Sequence, residues 1–81
     1  MEEKVAIIGL FVHDIKAAEK VNEELHKNAD CVIGRMGIPY REHNLNIISV
    51  IVQGSGDKIS ALSGNLGRIE GVTVKTMQTP V

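Results

Sequence analysis

The sequence is short of nearly everything that would give it a second source of stability or an obvious chemistry. It holds one cysteine, Cys31, so no disulfide can close within the chain; that count fits a reducing compartment. Its aromatic residues are Phe11 and Tyr40, with no tryptophan, so it offers no platform for stacked bases of a single strand. Charge of one sign is also missing, because nine Lys and Arg stand against ten Asp and Glu. Nucleic-acid binders take most of their affinity from phosphate contacts and show a basic surplus. The balance here argues against direct nucleic-acid binding by this chain alone. No apolar run approaches the roughly 18 residues of a membrane span. The start, Met1-Glu2-Glu3-Lys4, is acidic where a leader would be basic. A soluble, cytoplasmic protein without membrane association is expected.

What is present is aliphatic. Val and Ile make up nearly a quarter of the 81 residues, which favours a sheet. A chain of this length forms one domain, residues 1–81, and buries only about 60% of its unfolded surface. With no disulfide to help, oligomerisation is the common remaining route to stability.

Lys4 to Val12 is β-branched and nearly uncharged, a first strand. Asp14 suits an N-cap, and Ile15, Ala18, Val21 and Leu25 mark a helix that stops at Asn28. Asp30 to Ile38 is a second strand. Pro39 and Arg41-Glu42-His43-Asn44 make a hairpin loop, and Leu45 to Gln53 a third strand. A turn at Gly54-Ser55-Gly56-Asp57 opens a second helix carrying Ile59, Leu62, Leu66 and Ile69. Gly64 interrupts that helix, Gly67 or Gly71 ends it, and Val72 to Met77 is a last strand. The order βαββαβ predicts an α+β, ferredoxin-like sandwich with an antiparallel sheet ordered 4-1-3-2 and both helices on one face.

Two helices leave the other face uncovered. Val5, Ile7, Gly9 and Phe11 alternate with Ala6, Ile8, Leu10 and Val12, and strand three is apolar on both sides as well. An antiparallel sheet exposed to water on one side usually shows a polar face there. Self-association, as a dimer or tetramer, is therefore expected. Periodicity leaves open which set meets the helices; the interface is assigned to Ile8, Leu10, Ile48, Val50 and Val52.

Gly34-Arg35-Met36-Gly37-Ile38-Pro39-Tyr40, Asn46-Ile47-Ile48-Ser49, Leu62-Ser63-Gly64-Asn65-Leu66-Gly67 and Gly71-Val72-Thr73-Val74-Lys75 together resemble the iron-only hydrogenase system regulators. The resemblance covers nearly the whole chain. It implies an ACT-like fold, similar to the C-terminal domain of nickel-responsive repressors, and a regulatory role whose label rests on genomic association. Two departures limit it. The turn His13-Asp14-Ile15-Lys16 lacks the Asp-x-Pro-Gly of amino-acid-binding ACT domains. There is also no His-x-His pair to carry over a nickel site, and no length left for a helix-turn-helix, so any contact with DNA would belong to a protein partner.

The topology brings His13, Asp14, Glu42 and His43 to one end of the sheet. With Arg35 and Tyr40 added, His13, Asp14 and His43 form the candidate set for a small-molecule effector. The plainer reading is solvated loop residues with Asp14 as a cap. His26 and Cys31 could be half of a soft-metal site, though a buried, inert cysteine is the commoner case. Arg35, Arg41 and Arg68 could gather as an anion cluster. Gly54-Ser55-Gly56 is too short for a phosphate-binding fingerprint. No metal is expected, because no three ligands are closely spaced. No cofactor and no catalytic residue are expected either. The alternatives to an effector-binding regulatory module are a metal sensor using His13 and His43 across an interface, and a ligand-free oligomerisation adaptor.

Overall fold

The structure is a computed structural model that describes residues 3–81; Met1 and Glu2, the start of the acidic stretch, lie outside the described residues. Strand β1 spans Glu3–Val12 and helix α1 spans Ile15–Lys27. A 3-10 turn at Ala29–Cys31 leads into β2, Val32–Tyr40. A second 3-10 turn, Arg41–His43, joins it to β3, Leu45–Ser55. Helix α2, Gly56–Gly67, and strand β4, Val72–Pro80, complete the chain. The sheet order is β2-β3-β1-β4 with every neighbour antiparallel, which is the expected 4-1-3-2 order read from the other side.

Local chemistry sets the boundaries. The Asp14 carboxylate accepts from the Lys16 amide at 3.0 Å and starts α1. Asn28 ends it, its side-chain amide donating to the Glu24 carbonyl at 2.9 Å. Ser55 caps α2 by accepting from the Lys58 amide at 3.2 Å, so this helix begins one residue earlier than the sequence suggests. Lys58 then reaches Asp30 at 2.7 Å and ties the first turn of α2 to the 3-10 turn that follows α1.

The helices cover the even-numbered side of β1. Ile8 and Leu10 are fully buried there, opposite Val50 and Ile48 of β3, with Ala6 opposite Val52. Val21, Leu25, Ile59, Leu62 and Leu66 close over them. This corrects the interface assignment, because Ile8, Leu10, Ile48, Val50 and Val52 all lie beneath the helices and are unavailable to a partner. The odd-numbered set remains uncovered.

Other details also depart from expectation. The inner stripe of α1 is Ala17, Val21 and Leu25, an i, i+4 series; Ala18 lies at its edge, and Ile15 is 81% exposed. Asp30 and Cys31 belong to a 3-10 turn, so the second strand starts later. Pro39 lies within β2 and not in a loop, which an edge strand tolerates because no outer neighbour needs the missing N–H. Gly64 neither interrupts α2 nor packs closely: the helix runs through it, and a Cβ there would meet nothing within 4 Å.

A bulge shifts the β2–β3 register between Val32 and Gly34. Beyond it, Gly34, Met36, Ile38 and Tyr40 lie opposite Ile51, Ser49, Ile47 and Leu45, on the side away from the helices. Arg35 falls on the helix side.

Candidate functional site

Where β1 ends and the β2–β3 hairpin turns, the chain forms a cavity of about 560 Å³. It is lined by His13, Asp14 and Ile15 from the β1–α1 turn, and by Pro39, Tyr40, Arg41, Asn44, Leu45 and Asn46 from the hairpin. The hairpin closes through Asn44, whose φ of 51° is left-handed, a conformation asparagine adopts more readily than most residues. Its amide donates to the Arg41 carbonyl at 3.2 Å.

The other wall is pinned by Gly71. The His13 amide donates to the Gly71 carbonyl at 2.7 Å, and the His13 ring Nε2 lies 3.2 Å from the Thr73 hydroxyl. Gly71 has φ +86°, and a Cβ on it would lie 2.8 Å from the Cβ of Asp14. Only glycine lets β4 approach the β1–α1 turn this closely.

Of the five candidate binding residues, His13, Asp14 and Tyr40 line this cavity. His43 does not line it, but its ring packs edge-on against Tyr40, with centroids 4.7 Å apart at 61°. Arg35 is elsewhere. Its guanidinium donates to Asn22 at 2.7 Å beside α1, in an open groove of about 610 Å³ that also includes Glu19, Glu23, Leu25 and His26. The arginines form no cluster, since Arg68 donates to Asn65 at 3.0 Å on α2 and Arg41 sits in the hairpin. Arg41, Asn44 and Asn46 were absent from the candidate set; the polar run after Pro39-Tyr40, at the same end as His13, is the signal that places them there.

Among the described residues no group of three or more His, Cys, Asp or Glu could hold a metal ion. Cys31 is buried, its sulfur 3.1 Å from the Asn28 carbonyl. Burial pushes its thiol above the ordinary value, the reverse of an activated thiolate. Asp30 is held below its ordinary value by its hydrogen bond to Lys58, whose ammonium is raised in turn. No helix is long and apolar enough to cross a membrane among the described residues.

Comparison with known proteins bears on the family and the fold. The model of the TM1266-like family, iron-only hydrogenase system regulators by a provisional description, matches residues 4–76. The structure of the uncharacterized protein TM1266 from Thermotoga maritima is 41% identical, with each chain covering 99% of the other and a TM-score of 0.89. The C-terminal domain of the MgtC protein from Mycobacterium tuberculosis has a TM-score of 0.68 at 13% identity, over 96% of this chain and 87% of that one. A formyltetrahydrofolate deformylase from Pseudomonas putida KT2440 has a TM-score of 0.64 at 14% identity, over 90% of this chain and 28% of that one. The last two show the fold alone. No curated protein matches the sequence.

Proposed function

The chain belongs to the TM1266-like family of iron-only hydrogenase system regulators, and from that we propose that it is a small, non-catalytic regulatory module that works as a homo-oligomer joined through the open sheet face and receives an effector at the end cavity. The observation that carries this reading is the composition of the uncovered face. The row Ile7, Ile51 and Met77 and the row Phe11, Ile47 and Ile38 flank a central row of Gly9, Ser49, Met36 and Lys75. Ile7, Met36, Ile38 and Met77 are 42%, 61%, 52% and 69% exposed. A patch of that kind marks an interaction surface.

A second copy of this chain suits it best. Two apolar ridges flank the low pair Gly9–Ser49, so a two-fold axis lying between one ridge and that pair would set the ridge of each copy into the other copy's depression. An isologous contact requires this self-complementarity. The near-balanced charge of the chain does not oppose the approach of an identical copy. Four strands about 4.8 Å apart and about 30 Å long present roughly 600 Å² per copy. Two such faces reach the lower bound of a specific interface, about 1,200 Å² in total. Burial at about 25 cal/mol per Å² of apolar surface contributes at most roughly 15 kcal/mol gross per copy, since Ser49 and Lys75 share the face. Lost rigid-body and side-chain freedom offsets on the order of 4–15 kcal/mol per association event.

Native mass spectrometry of freshly purified protein tests the reading, because it reports subunit count and any small molecule that travels with the chain. Dimers or tetramers are expected. A monomer that persists at micromolar concentration overturns the proposal.

A further inference from the structure

We propose that the end cavity binds a small organic acid, a carboxylate on an apolar body without an amino group. This rests on the effector-binding reading above and names the chemistry that the site would take.

Size comes first. A cavity of about 560 Å³ falls within the range of small-molecule sites. Its apolar wall is Ile15, Pro39, Tyr40 and Leu45. Ile15 is the telling member: it occupies the first helical position of α1, and at 81% exposure its own chain leaves it largely uncovered. An apolar body laid against Ile15 and Tyr40 would remove that surface from water.

Charge decides the polar end. The Arg41 guanidinium has no side-chain hydrogen bond and no ion pair among the described residues, and it carries five donors suited to a carboxylate. The carboxylate of the cavity, Asp14, is engaged in the fold. Its Oδ1 accepts from the Lys16 amide at 3.0 Å, and its Cβ lies against Gly71. Of the two charged groups, Arg41 is therefore the one with no partner of its own. An ammonium would have to share the helix cap, whereas a carboxylate would meet an unoccupied donor fork in a cavity that Asn44 and Asn46 also line. Phosphate esters fit less well. They favour several cations or a glycine cradle, and Gly54-Ser55-Gly56 lies at the far end of β3.

The test is a titration of the full chain followed by amide resonances. 3-Methylbutanoate and phenylacetate are compared with 3-methylbutylamine and phenethylamine, which carry similar bodies and the opposite charge. The acids are expected to give saturable shifts at residues 13–15 and 40–46, with a dissociation constant on the order of 1 mM or tighter. The amines are expected to give none there. Arg41→Gln should weaken the acids about tenfold, the loss of one charge-assisted contact, while Arg41→Lys keeps part of the affinity. Equal responses to acids and amines, no saturable shift with any probe, or unchanged affinity in Arg41→Gln would each overturn the proposal. Translational diffusion in the same samples reads the association state. An oligomer that ignores the acids removes this inference alone, and a monomer that binds them removes the assembly reading alone.

Discussion

Tyr40 and Leu45 stand opposite each other in the last pair of the β2–β3 ladder, and both belong to two surfaces at once, the wall of the end cavity and the open face of the sheet. Any body covering that face lies beside the mouth of the cavity. On the reading proposed above, occupancy of the cavity and assembly of the protein would draw on the same two side chains, and linkage would make the coupling reciprocal. An effector that changes the position of Tyr40 would change the affinity between copies.

Tyr40→Ala is accordingly expected to weaken both self-association and acid binding, whereas Met77→Ser, on the opposite edge strand, should weaken association alone. Sedimentation equilibrium and the resonance titration measure the two effects separately. A Tyr40→Ala variant that changes one measurement and leaves the other at the wild-type value would show that the surfaces are independent.

The adjacent residues Ile47 and Ile48 separate the two faces of the sheet. Ile48→Asp places a carboxylate beneath the helices, at a position 9% exposed, at a cost on the order of 4 kcal/mol or more. A domain of this size has roughly 4–12 kcal/mol in total, so this variant should be largely unfolded by circular dichroism. Ile47→Asp points into the open face and should give a folded monomer. If Ile47→Asp keeps the wild-type association state, the contact between copies lies elsewhere.

Two glycines should respond in opposite directions. Gly71→Ala forces an L side chain into a left-handed conformation and against Asp14, at a cost of about 1–3 kcal/mol. It should also move the amide resonances of His13 and Asp14. Gly64→Ala fills open space in an uninterrupted helix and should raise stability by about 0.5–1 kcal/mol. Urea unfolding of both variants checks the signs, and a destabilised Gly64→Ala would mean that α2 needs its glycine for a reason outside this chain.

The Asp30–Lys58 pair predicts a pH dependence. The Asp30 carboxyl is held below its ordinary value of 3.8 by the hydrogen bond from Lys58. Its contribution to stability is therefore present above that value and lost as pH falls through the depressed one. Asp30→Asn should lower Tm slightly at neutral pH, less so at high salt because the pair is exposed, and the two Tm curves should converge in acid. Curves that coincide at every pH would show that the pair contributes nothing.

Much of the fold was legible because composition and spacing agreed: Asp14 and Asn28 bracket one helix, and β1 and β3, the most apolar strands, had to be central. The side of the sheet was not legible. Ile7 and Ile8, or Ile47 and Ile48, are chemically equivalent, and only the packing of Val21, Ile59 and Leu62 selects between them. The phase of α1 failed for the same reason, since Ala17 and Ala18 differ only in where the sheet lies. At the site, His13, Asp14 and Tyr40 could be located because topology alone brings the end of β1 to the β2–β3 turn. Arg35 could not, because nothing in Val32-Ile33-Gly34 signals that the ladder skips a residue there.

That skipped residue makes the edge strand a text that can be read in two frames. In the frame the bulge sets, the methionine, isoleucine and tyrosine of Met36, Ile38 and Tyr40 face outward, and Arg35 turns toward α1. Deleting Ile33 would leave them where they are, whereas closing the bulge with Ile33 kept, so that Ile33 paired with Ile51, would exchange the two. The arginine, Gly37 and Pro39 would then face outward, and three large apolar side chains would press on a core already full. A one-residue slip of the pairing would thus turn a sticky surface into a charged one without touching any residue that gives the surface its character. The single unpaired residue at Ile33 therefore holds the outward face in its apolar frame.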